Sequence, residues 1–265
     1  MVDGFAIRQA YVTLRTPVGN GIDWKMGVFD SPLGYEGTSS INNPNFTRSY
    51  GYTVEPTELT GLIGSYKFCD AVSLSAGVVN TIDPVITERD QNGNKEDTKA
   101  YLVSLSLTAP QDWGWLAGSS LNAGFINGYS TSSLGNGNVS HFYTGATIAT
   151  PVTGLKAGAA FDYRHDHDVA PGRGDIYVYG LYASYQATEK LGLNVRGEYI
   201  VNRDLGFFQS PQKGYELTFT AQYDLWKNVL SRAELRWDHA QKGSFGASGD
   251  QKNAVALIGS IAYKF

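Results

Sequence analysis

Four histidines, one cysteine and a scatter of carboxylates are the residues of this 265-residue chain with the types for bond-making chemistry. His165-Asp-His-Asp168 has the composition of a metal cluster, yet its members are consecutive and lack the i, i+4 spacing that turns side chains onto one ion. Asp90–Asp97 (DQNGNKED) outlines a calcium loop without its alternating acids or distal glutamate. Asp238-His239, with His165 and His167, supplies the types of a hydrolytic acid–base pair, but GxSxG, HExxH and GxxxxGK[ST] are absent. Cys69 stands alone, so it forms no disulfide within the chain. Catalysis, a metal and a cofactor are therefore not expected, and an enzyme is the weaker reading.

The chemistry that recurs is electrostatic. Arg15, Asp23, Lys25, Lys156, Asp162 and Arg164 fall on alternate positions of extended segments, as do Arg196, Glu198, Glu216 and Asp224. Arg232, Glu234, Arg236 and Asp238 follow the same beat. Side chains two apart on a strand share a face. A charge turned to lipid costs ~2–4 kcal/mol at the bilayer centre, and a dry interior would need every charge paired. A water-filled lumen lets them stay hydrated. They could then tune passage of ions and solutes, or form arginine–carboxylate ladders that stiffen the wall.

The opposite face of the same segments is oily. From Tyr215, the residues Leu217, Phe219, Ala221, Tyr223 and Leu225 share one parity, and Val255, Leu257, Ile261, Tyr263 and Phe265 do so at the end of the chain. A soluble sandwich also alternates. Aromatics gathered at strand ends favour a membrane instead. Tyr163, Tyr177, Tyr199, Tyr215 and Trp237 would form one girdle, and Phe68, Tyr185, Tyr223, Tyr263 and Phe265 the other. No run approaches the ~18–20 apolar residues of a membrane helix, which a strand of ~9–11 residues does not need. A net charge of -4 argues against nucleic acid as a partner.

About thirteen strands are predicted in one domain spanning residues 1–265, with short and long connections alternating. Transmembrane barrels have short periplasmic turns and longer outer loops. The fold class is thus all-β, an antiparallel transmembrane β-barrel. Because single-chain bacterial barrels have even strand numbers, thirteen strands imply the C-terminal part of a barrel of about sixteen, with the front and any leader missing. Asp30 to Thr57 is the longest connection. It is expected either to fold into the lumen, with Glu36, Arg48 and Glu55 narrowing the pore, or to cap the barrel from outside.

One stretch carries a family likeness. Gln9-Ala-Tyr11, Gly19-Asn-Gly21, Gly27-Val-Phe29-Asp30, Gly34-Tyr35-Glu36, Asn43-Pro44-Asn45, Arg48-Ser-Tyr50-Gly51 and Glu55-Pro56-Thr57 resemble the β-barrel porin-2 (OmpL-like) family of bacterial outer-membrane proteins. The resemblance implies a porin-like channel in the outer membrane of a Gram-negative bacterium. Passive diffusion of small hydrophilic solutes or ions is the expected function. A structural barrel with a plugged lumen is the alternative, and an outer-membrane hydrolase a more distant one. Expected partners are the lipid bilayer with its lipopolysaccharide, the solutes, and other copies of the chain in a homo-oligomer.

Overall fold

Period-two alternation with β-branched and aromatic residues on the oily side favours extended backbone, and it builds thirteen strands. They are β1 (Ala10–Thr16), β2 (Ile22–Asp30), β3 (Glu58–Cys69), β4 (Val72–Val79), β5 (Ala100–Thr108), β6 (Ser120–Ser130) and β7 (Gly137–Ala149). Then come β8 (Leu155–Asp166), β9 (Asp175–Gln186), β10 (Leu191–Asn202), β11 (Gln212–Trp226), β12 (Val229–Ala240) and β13 (Asn253–Tyr263). The computed structural model describes residues 8–84, 98–130, 137–168, 174–203, 208 and 212–264. Asp90–Asp97 and Phe265 lie outside them.

All thirteen strands form one sheet in chain order, each antiparallel to its sequence neighbours. Among the described residues β1 pairs only with β2, and β13 only with β12. Tight turns set the register. At the two-residue turn between β11 and β12, Asn228 takes a φ of 65°, a left-handed conformation that asparagine tolerates well.

The two faces of the sheet differ as the alternation requires. Leu181, Ile261 and Leu257 are 69%, 75% and 81% exposed on the outer face, whereas Arg196 on the inner face is 0% exposed. A soluble sandwich would cover the oily face with a second sheet, and the described residues form a single sheet.

Two features differ from expectation. β6 and β7 run on to Ser130 and back from Gly137, past the expected limits of Asn127 and Phe142, because Asn127 to Ser130 stay in register with Ser140 to Gly137. Their connection, 131–136, is shorter than 109–119 between β5 and β6, so the alternation of lengths fails there. The inner face is also not uniformly polar. Phe29, Leu59, Ile63, Leu102, Ile126 and Tyr143 project inward and pack with Leu33 and Tyr35 from the connection after β2.

Candidate functional site

Residues 31–57 fold back against the inner face rather than outward. An irregular segment enclosed in a barrel must find partners for its backbone N–H and C=O groups. The charged side chains of β10 and β12 supply many of them. Arg196 on β10 donates to Glu36 Oε1 at 2.7 Å, to the Thr47 carbonyl at 2.8 Å and to the Arg48 carbonyl at 3.3 Å. Its Nε and Nη2 each reach Glu216 on β11 at 3.1 Å. Glu234 on β12 accepts the N–H groups of Phe46 at 2.6 Å and Thr47 at 2.9 Å. Arg232 donates to the carbonyls of Ser40, Ile41 and Asn43 at 2.7, 3.0 and 2.7 Å. Arg236 donates to the Arg48 carbonyl at 2.6 Å and pairs with Asp238 at 2.8 Å.

The end of the loop is a short helix, α1 (Tyr50–Val54), capped by Ser49, whose hydroxyl accepts the Tyr52 N–H at 2.9 Å. The first two N–H groups of α1 donate to Glu198 at 2.6 and 3.1 Å, satisfying donors that a helix start leaves open. The Tyr50 hydroxyl donates to Asp238 at 2.8 Å. Burial first, then Asp238, pushes the Tyr50 phenol above its usual range. α1 also lies tight against β8, since a Cβ on Gly51 would come within 2.8 Å of Asp162 Oδ2. Glu55 accepts the Tyr35 N–H at 3.1 Å. Its burial, together with Asp162 nearby, raises its carboxyl well above the ordinary range.

The charged positions therefore divide into groups. Arg196, Glu198, Glu216, Arg232 and Glu234 face inward and are buried beneath the loop. Arg236 and Asp238 face the same loop, half-buried. Asp162 meets His141 at 3.1 Å and Arg164 donates to Ser130 at 2.9 Å, both buried. Arg15 and Asp23 pair at 3.2 Å on the exposed β1–β2 hairpin, and Lys25 lies over the Tyr11 ring at 4.6 Å. Lys156 makes no ion pair or hydrogen bond among the described residues and stands open on the inner face. Glu36 and Glu55 were expected to narrow the pore. Both point into the loop's own anchorage and are buried, while Arg48 stays half-exposed, its guanidinium 4.3 Å from the Tyr52 ring centre.

Neighbours on a strand point to opposite faces, which separates Asp238 from His239. Asp238 turns inward to Arg236, while His239 turns outward and meets Asn253 at 2.9 Å. His165 meets Asp175 at 2.8 Å, and His167 meets the Ser140 hydroxyl at 2.8 Å. No group of three metal-ligating side chains occurs among the described residues.

On the outer face the aromatics form a stacked belt. Tyr163 and Tyr177 lie 4.7 Å apart, Tyr179 and Tyr199 6.1 Å, and Tyr199 and Tyr215 5.0 Å between ring centres. Trp237 stacks on His239 at 5.8 Å. Phe161 and Tyr179 belong to the belt as well, 5.1 Å apart. The period-two pattern placed both on the outer parity without singling them out as girdle. Toward the other end, Phe68, Tyr185, Tyr223 and Tyr263 are exposed on the outer face, with Trp226 exposed at the end of β11 and Trp113 and Trp115 exposed in the connection between β5 and β6.

A single sheet with an oily exterior, an aromatic belt and a charged, loop-filled interior is the geometry of an outer-membrane channel. The family model described as "Putative beta-barrel porin-2, OmpL-like" matches residues 3–265. The chain belongs to this porin family. The porin is thus an antiparallel transmembrane β-barrel channel of the bacterial outer membrane. No curated protein matches it by sequence. In fold it is similar to the anion-selective porin of Comamonas acidovorans, at 11% identity and a TM-score of 0.65 over 100% of this chain and 80% of that one. OmpT of Vibrio cholerae in its trimer form is similar at 14% identity and a TM-score of 0.59, over 98% and 81% of the two chains. The outer-membrane channel DcaP of Acinetobacter baumannii is similar at 12% identity and a TM-score of 0.56, over 94% and 83%.

Proposed function

We propose that the porin passes small hydrophilic solutes and ions by passive diffusion through a lumen narrowed by residues 31–57. The observation that carries this reading is the tethering of that loop's backbone by buried charged side chains of the wall. The backbone is held by β10 and β12, with Arg232, Glu234 and Arg196 as the principal tethers. Space remains on either side of it. One cavity of about 390 Å³ opens beside Lys156 and Arg232, and another of about 380 Å³ beside Arg48, Asp83 and Arg164. No bond is made or broken in transit, so selectivity rests on the radius left by the loop and on fixed charges. The short-turn end faces the periplasm in this reading, and the aromatic belt at the opposite end sits in the lipopolysaccharide leaflet.

Among the described residues β1 and β13 have no second partner, and hydrocarbon does not tolerate open edges, so the reading includes closure of the sheet. It also includes a homo-oligomer, as in the trimer form of the Vibrio OmpT neighbour. A plugged structural barrel is the second reading, favoured by the apolar packing of Leu33 and Tyr35 against the inner face. Reconstitution in planar bilayers separates the two. The channel reading expects discrete conductance steps, and swelling of liposomes in small sugars. Sealed bilayers and unswollen liposomes, with correctly folded protein present, would establish the plug.

A further inference from the structure

The cavity at the turn end of the loop has the makings of a binding site. On the inner face Lys156 of β8 lies directly opposite Ser184 of β9, which lies opposite Asn194 of β10. Residues directly opposite on one face hold their Cβ atoms about 5 Å apart. The three side chains thus make a continuous row of an ammonium, a hydroxyl and an amide. None of them has a hydrogen-bond partner among the described residues. Arg232 lines the same cavity of about 390 Å³. Its donors are spent on neutral acceptors, the carbonyls of Ser40, Ile41 and Asn43 and the Gln222 amide oxygen, and among the described residues it has no carboxylate within ion-pair distance.

Among the described residues no aspartate or glutamate lines the cavity, and Glu234 on the same strand face is the acid that offsets the Arg232 charge. Glu234 is itself occupied by the Phe46 and Thr47 N–H groups and the Thr220 hydroxyl. The adjoining mouth shares Ile41 and Gln222 with the cavity, and it carries Lys190, Lys227 and Lys264 against Glu189 and Asp224.

We infer that this cavity is a binding subsite for small oxyanions, carboxylates or phosphates, at which Lys156 makes the direct contact and Arg232 supplies a fixed backing charge. An oxyanion there would accept from the Lys156 ammonium, the Ser184 hydroxyl and the Asn194 amide. Charge-assisted bonds of this kind are about twice as strong as neutral ones. The subsite rests on the channel reading for its role in transport, though not for binding itself.

The test combines two measurements on the full chain. In planar bilayers under a potassium chloride gradient, the reversal potential should show anion preference. Lys156→Glu should lower the chloride-to-potassium permeability ratio about fivefold, in line with the ~1 kcal/mol attraction of contacting charges in water. Lys213→Gln, a lysine on the outer face, should leave the ratio unchanged. Calorimetry on the detergent-solubilised protein, with sodium succinate and inorganic phosphate in separate titrations, should show binding that Lys156→Gln abolishes. The anion that binds more tightly names the class. A cation-selective channel, or a ratio and a binding isotherm both indifferent to Lys156, overturns the subsite and leaves the channel standing. Succinate or phosphate binding without any conductance would keep the subsite and remove the channel.

Discussion

Replacing Arg196 with methionine removes the centre of the loop's anchorage. Arg196 is 0% exposed and joins the loop, through Glu36 Oε1 at 2.7 Å and the Thr47 carbonyl at 2.8 Å, to Glu216 on the wall at 3.1 Å. Methionine keeps the volume of the stem and removes the charge. Three buried carboxylates lose their shared cation, and two of them, Glu198 and Glu216, are direct cross-strand partners. Removing one partner from a buried ionic group costs about 3–5 kcal/mol. The strands keep their own ladders of hydrogen bonds, so the penalty falls on docking of the loop. At roughly 1.4 kcal/mol per factor of ten, the released population rises about a hundredfold or more. Arg48 is the only lysine or arginine between residues 31 and 57, so tryptic cleavage after it is the one cut that reports on this segment. Initial cleavage after Arg48 in detergent-solubilised protein should accelerate by about two orders of magnitude, because cleavage follows the population of the open form. Single-channel conductance should rise with it. Wild-type protection of Arg48 in Arg196→Met would refute the argument that this guanidinium holds the loop.

Other perturbations follow from the same contacts. Glu55 has its carboxyl raised by burial and by Asp162, with Glu36 and Glu198 adding to the effect and the Tyr35 N–H opposing it. The docked loop therefore binds a proton more tightly than a released one. Docking strengthens as pH falls from the raised value toward the ordinary glutamate value of about 4.3, and weakens as pH rises through the raised value. Conductance should fall on acidification across that window, and Glu55→Gln should hold it low at neutral pH; an identical pH profile in the variant would contradict this. Gly158→Ala should displace Tyr35, whose hydroxyl oxygen lies 1.8 Å from where the new Cβ would sit. That change should break the Tyr35–Tyr182 stack, now 4.0 Å between ring centres, at a cost of about 1–3 kcal/mol visible in urea denaturation.

The strands were legible because each carries its own signal. Leu235 and Trp237 against Arg236 and Asp238 fix two faces without reference to any other segment. The loop's length and its Glu36, Arg48 and Glu55 marked residues 31–57 as functional, yet their orientation could not be read. Glu36 meets Arg196 160 positions away, and Phe46 meets Glu234 188 positions away. No local periodicity encodes such pairs. The charges looked hydrated because a strand pattern reports which face a residue takes and not what covers that face. Phe29, Leu59 and Ile63 offered a clue. They are apolar residues on the inward parity of β2 and β3, and they cluster where Leu33 and Tyr35 dock.

The central claim is that residues 31–57 lie inside the barrel, tied to its wall. Asn45 Nδ2 donates to the Thr220 hydroxyl at 2.7 Å, which makes this pair a direct gauge of that contact. In a Cys69→Ser background, Asn45→Cys with Thr220→Cys should form a disulfide within one chain when the protein is oxidised in native outer membranes. Failure to cross-link under oxidation that couples a control pair between adjacent strands, or cross-links found only between separate chains, would place the loop elsewhere.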